Sequence, residues 1–361
     1  MQASDVQASA VQASGPQSSD VPSFPWPAGS ATGVGSMPGT DPRAACAVVM
    51  GELPDFPFLP ELPDRGVGAD LVGRTAALLV DLPVETTAGG WKLAAHPGRD
   101  QRRAVGSLSY DLDAVQEAAD GYSGALKISV CGPLTLAARI ELSRSQNPAL
   151  ADQGALADLT ASLAEGVAAH VRQVRERVPG ATVVLQLDEP MMPEVLAGRV
   201  RTASGLNYVR ALDEIAASGT LRAVLEAAGA FTVVHCCAAG FPFLFIKAAG
   251  ARAVSFDLSL LDRRDIDTVA ELAESGLGLL VGALPTVWDA AAAPRPARDT
   301  AQAVVTLWRR MSLDPRQLAT QAVVTPACGL AGLSPQDARS RLGHCREAAR
   351  IAPEMIEEGA Q

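Results

Sequence analysis

Three strong transition-metal ligands stand in a row in "VVHCCAAG", residues 233–240: His235, Cys236 and Cys237. The chain holds only four His and six Cys, so the cluster draws notice. On an extended strand, side chains at i and i+2 point the same way. His235 and Cys237 can therefore reach one ion, while Cys236 faces the other side. Two ligands do not complete a site, because zinc takes four and favours thiolate with imidazole. Cys328, in "TPACGLAGLS", can supply a second thiolate, and Asp257, in "VSFDLS", a carboxylate. Each residue also has a plainer reading. Cys328 could be a small core residue, and His-Cys-Cys could be buried structure. Asp188-Glu189-Pro190 could cap a helix. Gly33-Val34-Gly35-Ser36 could be a tight turn; it lacks the spacing of a dinucleotide fingerprint.

The elements that must position these residues read as an alternation of strands and helices. Apolar runs at 32–36, 56–59, 126–130, 182–187, 231–235, 253–258, 277–282 and 321–326 are predicted strands. Several are continuously apolar, as parallel strands buried on both faces are. Helical spacing covers 70–82, 156–178, 219–229, 265–276 and 298–312, and 335–361 reads as a closing helix. Eight strands interleaved with helices predict an α/β fold, a (β/α)8 TIM barrel. A doubly wound open sheet is the alternative. In a barrel, chemistry gathers at the C-terminal strand ends. Ser36, Glu61, Cys131, Asp188, His235, Cys237, Asp257 and Cys328 all fall at or just beyond such ends. This shared placement favours a functional rim over scattered structural roles.

Composition narrows the classes. The chain has 361 residues with net charge −10 and no basic run, which argues against nucleic-acid binding. No apolar stretch reaches the length of a membrane span, and no secretory signal opens the chain. Sparse cysteines suit reduced thiols in a cytoplasmic protein. Residues 1–25 are small, polar and repetitive ("DVQAS", "AVQAS") and are expected to be a disordered tail, with 26–361 forming the barrel.

On these motifs the chain resembles the catalytic barrel of cobalamin-independent methionine synthase. "VVHCCAAG" matches the family's H-x-C pair, and "TPACGLAGLS" its later cysteine. "LDEP" (187–190) matches "IDEP", and "TGVGSMPGT" (32–40) matches the N-terminal T-x-x-G-S-x-P-x-T. The resemblance covers most of residues 30–345. It implies Zn2+ held by His235, Cys237, Cys328 and Asp257, the last replacing the family's glutamate by a side chain one methylene shorter. It implies homocysteine as substrate, its amino group at Asp188 and Glu61, and its carboxylate at Ser36 and the Val34 backbone. The full-length enzyme has two barrels and this chain has room for one. It therefore looks like the single-barrel forms, with a methylcorrinoid, its carrier protein or a methylfolate as methyl donor. Two alternatives stay open: alkyl transfer to another thiol of the coenzyme M type, and a non-catalytic barrel that binds zinc or a thiol.

Overall fold

Apolar β-branched runs bounded by polar ends form a parallel sheet in this chain, as their continuity predicts. The structure is a computed structural model that describes residues 23–286 and 296–358. The expected tail at 1–22 lies outside the described residues. Nine strands are present among those described: β1 (Val84–Thr87), β2 (Gly90–Leu93), β3 (Gly124–Cys131), β4 (Ile140–Glu141), β5 (Ala181–Asp188), β6 (Phe231–Cys236), β7 (Ala253–Asp257), β8 (Gly278–Leu284) and β9 (Ala322–Pro326). Six of them make one curled parallel sheet in the order β3-β5-β6-β7-β8-β9.

The helices Gln153–Arg177, Glu214–Ala227, Arg263–Glu274 and Ala297–Arg310 fall between successive strands, and Pro335–Glu358 closes the described chain. Each lies within a few residues of its predicted range. The predicted helix at 70–82 is shorter, Leu71–Ala76. It starts where the Asp70 side chain accepts the Gly73 amide, a cap that satisfies an otherwise orphaned donor.

Two expectations need correction. Residues 32–36 and 56–59 are not regular strands but extended segments held by single parallel bridges: Ala31 to Val324, Ser36 to Glu61 and Phe58 to Lys127. Pro57 and Pro60 lack the N–H that a continuous ladder requires. The bonds that remain are well formed. Thr32 N–H donates to the Val324 carbonyl at 3.1 Å, Glu61 N–H to Gly35 at 3.0 Å, and Leu59 N–H to Lys127 at 2.8 Å. Gly33 has no room for a side chain, since a Cβ there would lie 2.3 Å from the Phe58 ring. The second correction concerns the tail. Phe24 stacks on Trp26 with ring centroids 5.1 Å apart, so packing against the folded body begins before residue 26.

Trp26 belongs to a small apolar cluster with Phe56, Val184, Phe231 and Leu280. A much larger cluster takes in the opposite-facing strand residues, among them Leu185, Val234, Cys236 and Val254, together with the apolar helix faces. The small cluster therefore fills the concave side of the sheet, and the large one lies beneath the helices. An antiparallel hairpin, β1–β2, with β4 alongside β2, forms a separate three-stranded sheet. No described helix is long and apolar enough to cross a membrane.

Candidate metal centre and adjoining pocket

Strand register brings the rim residues together. Asp188 on β5 pairs with His235 on β6, and His235 pairs with Ser255 on β7. Paired residues in a parallel ladder point to the same face. Asp188 and His235 therefore sit side by side on the concave face, one strand apart. Cys236, between the two ligand candidates, is buried in the outer cluster, as its alternate position requires.

His235, Cys237 and Cys328 form the metal-competent group found among the described residues. Their ligand atoms all lie within 4.8 Å of one another. The Sγ atoms of Cys237 and Cys328 are 2.8 Å apart, although 91 residues separate them in sequence. His235 is buried, its Nδ1 lies 2.9 Å from the Ser255 hydroxyl, and its Nε2 has no hydrogen-bond partner. A buried ring nitrogen is rarely left without a partner. Here it accompanies two sulfurs, and a serine fixes the opposite nitrogen, the arrangement in which a histidine is held ready for a metal. Hydrogen bonding from Cys237 pulls the Cys328 thiol down to about 4, with His235 helping against the effect of burial. The same bond raises Cys237. Cys328 is thus the more acidic sulfur of the pair. Three soft protein ligands suit zinc, and a zinc site with three protein ligands keeps a position for substrate.

Asp257 does not join this group. Its Oδ1 accepts hydrogen bonds from the Ser259 amide at 2.8 Å and the Ser259 hydroxyl at 2.7 Å, and it caps the short helix Leu258–Leu260. The one-methylene-shorter carboxylate is engaged by its own loop and stands outside the group formed by His235, Cys237 and Cys328.

The metal-competent residues line a cavity of about 260 Å³ that also contains Val34, Ser36, Glu61 and Asp188. Seven of the eight candidate residues therefore share one pocket. Ser36 sits against Gly329, where a Cβ would lie 2.0 Å from the Ser36 hydroxyl oxygen. Glycine after Cys328 is what lets that hydroxyl approach. Asp188 Oδ1 accepts from Gln186 Nε2 at 2.8 Å. Burial raises the Asp188 carboxyl, while His235 and Lys127 draw it down. Burial pushes Glu61 up to about 7 against the pull of Arg74, whose guanidinium lies 3.6 Å away, and Asp188 adds to the rise. Arg74 is itself tied to Asp111, which also pairs with Arg65 at 2.7 Å. Burial raises both acids and Asp188 raises Glu61 further, so a cation bound beside them would favour their ionised forms.

Several residues that shape the site were not singled out from sequence: Ser255, Gln186, Lys127 and Arg74. A lysine inside "LKISV" and a glutamine inside "VLQL" were the available signals, since polar groups in apolar strand runs require buried partners. Glu189, the other acid of "LDEP", turns away from the pocket. It accepts from the Leu134 and Thr135 amides and the Thr135 hydroxyl, fastening the start of helix Pro133–Arg139.

The site is that of a group-transfer enzyme with a candidate metal centre beside an acid-lined pocket. Residues 145–351 match the family of cobalamin-independent synthase catalytic domains. The match spans more than half of the chain, and the chain belongs to this family, which makes it a methyltransferase that acts on a thiol. No curated protein sequence matches. Among solved structures, one similar chain is a B12-independent methionine synthase from Shewanella sp. W3-18-1 in complex with selenomethionine: 14% identity, 69% of this chain and 67% of that one covered, TM-score 0.48. A mandelate oxidase mutant (13% identity, 90% and 74% covered, TM-score 0.37) and 2,3-dimethylmalate lyase (13%, 91% and 84%, TM-score 0.36) are also similar. At these scores the structural likenesses carry no functional weight.

Proposed function

We propose that the chain catalyses zinc-dependent methyl transfer to the thiol of homocysteine, forming methionine. The observation that carries this reading is the partnerless His235 Nε2 beside two sulfurs, opening into the pocket that holds Asp188 and Glu61. His235, Cys237 and Cys328 would hold the metal. Bound there, zinc would deprotonate the substrate thiol and keep the sulfur nucleophilic toward an electrophilic methyl group.

The remaining work belongs to the pocket. Asp188 and Glu61 receive the substrate ammonium and gain from its charge. Ser36 and the Val34 amide donate to the carboxylate; the Val34 carbonyl cannot, being an acceptor already occupied by Lys127, Gln186 and Ser129. Fixing both ends of the amino acid aims its sulfur at the metal centre, and this orientation is a large part of the rate gain available. On this reading the two bridged N-terminal segments complete an eight-membered barrel around the pocket, and residues 26–361 act as one catalytic unit. Thiolate ligands that must stay reduced suit the cytoplasm. A methylcorrinoid, its carrier protein or a methylfolate supplies the methyl group.

The test is metal analysis of purified protein together with methylation assays. Homocysteine and a panel of other thiols are each offered methylcobalamin and methyltetrahydrofolate separately. About one zinc per chain and methionine as the favoured product are expected. A metal-free protein, or preferred turnover of a thiol with no amino group, overturns the reading.

A further inference from the structure

Among the described residues, Lys127 is a fully buried cation whose burial needs explaining. It is fully enclosed in β3, on the concave face, beneath the pocket and outside the candidate set. Its Nζ donates to the Val34 carbonyl at 2.6 Å, to Gln186 Oε1 at 2.8 Å and to the Ser129 hydroxyl at 3.3 Å. An ammonium has three donors and no acceptor, so every donor is used. Burial lowers the lysine to about 8, while Asp188 and Glu61 hold it up. A purely structural contact rarely spends a buried charge, because an apolar side chain of similar volume is often no less stable.

The lysine's contacts have a directional consequence. Lys127 can only donate, so Gln186 must turn its oxygen toward it. The Gln186 amide nitrogen is then forced to the other side, where it donates to Asp188 Oδ1 at 2.8 Å and to the Val34 carbonyl at 2.9 Å. Asp188 is thereby held from below by one oxygen, leaving the other for the pocket. The same ammonium pins the Val34 carbonyl, which sets the direction of the neighbouring peptide groups where the carboxylate is expected.

We propose that Lys127 is a positioning residue: through Gln186 and the Val34 carbonyl it sets the orientation of both ends of the amino-acid pocket and so determines selectivity for thiols that carry an α-ammonium group. This inference rests on the homocysteine reading and adds to it a residue that never touches substrate.

The test is binding, which needs no methyl donor. Zinc-loaded wild type, Lys127→Met and Gln186→Leu are titrated calorimetrically with homocysteine and with its desamino analogue, 4-sulfanylbutanoate. Wild type is expected to prefer homocysteine. Both variants are expected to keep their zinc and lose that preference by roughly ten- to hundredfold, the worth of a misdirected charge-assisted hydrogen bond. Gln186→Leu leaves the lysine in place, so it tests the relay even if Lys127→Met does not fold. A preference unchanged in the variants, or both ligands weakened equally, overturns the role of Lys127 alone. A wild type that does not prefer homocysteine overturns the substrate reading, and the inference with it.

Discussion

The hydroxyl of Ser255 gives the sharpest test of the metal centre, because it touches no ligand sulfur and no pocket acid. It lies 2.9 Å from His235 Nδ1 and is buried, as is the ring it contacts. If Nε2 binds a metal, Nδ1 must carry the proton and donate it to Ser255. Ser255→Ala removes that acceptor at a position where both side chains are buried. A buried donor left without a partner costs about 1–3 kcal/mol. Part of that cost is avoided in the metal-free protein, where the ring is free to change tautomer. The difference should appear as a roughly ten- to hundredfold loss of zinc affinity, the range found when such outer partners are removed. The assay is competition for zinc against a chromophoric chelator at fixed pH, with metal-free melting curves as the control for folding. Zinc affinity within about twofold of wild type would falsify the assignment of Nε2 as the ligand atom. A loss as large as that of His235→Ala would mean the whole ring is displaced, which the geometry does not predict.

Four further outcomes follow from the same site. Cys328→Ser should lower zinc affinity by roughly a hundredfold or more, since it removes a ligand and not merely its support, as read by the same competition. Asp257→Asn should leave zinc affinity within roughly threefold, because Ser259 already engages the carboxylate; a collapse of metal binding would restore Asp257 to the ligand set. Gly329→Ala should destabilise the fold by about 1–3 kcal/mol in denaturant titration, because its Cβ would meet the Ser36 hydroxyl at 2.0 Å. Glu61 has a folded value near 7 against an ordinary 4.5, so the folded state holds the proton longer than the unfolded one. Its contribution to stability is complete below pH 4.5 and is lost as pH rises toward 7. Melting curves of Glu61→Gln should therefore lack that loss, gaining on wild type across the window; a constant difference at every pH would contradict it.

How much of this could be read in advance varies from residue to residue. The six sheet strands are legible because parallel strands buried on both faces are continuously apolar, and the shared direction of His235 and Cys237 is legible from a period of two. Convergence of Cys328 on His235 and Cys237 followed from the alternation of strands and helices, which returns each strand end to one rim. The N-terminal segments are predicted as regular strands because periodicity records burial and not hydrogen bonding, whereas prolines at 57 and 60 interrupt the ladder. Helix Arg99–Ala118 was missed although Ala104, Leu108, Leu112 and Val115 mark its buried face. Its charged residues dilute that signal. Asp257 stands outside the group for a different reason. Sequence puts it at the correct strand end, but a hydroxyl two residues later competes for the carboxylate, and such local side-chain bonds carry no periodic signature.

The least legible part of the site is an electrostatic constraint. A pocket for an amino acid needs acids at its ammonium, yet burial raises both Asp188 and Glu61, and Asp188 raises Glu61 further. Unassisted, they would take up protons and lose the charge that the ligand requires. Arg74 restrains Glu61 from one side, and Lys127 restrains both acids from below. Glu61 nevertheless stays near 7, so a substrate ammonium beside it would favour its ionised form. An ammonium held at Asp188 and Glu61 and a thiol directed to His235, Cys237 and Cys328 would then occupy one cavity, which gives a physical reason for the acids and the metal-competent residues to share one rim.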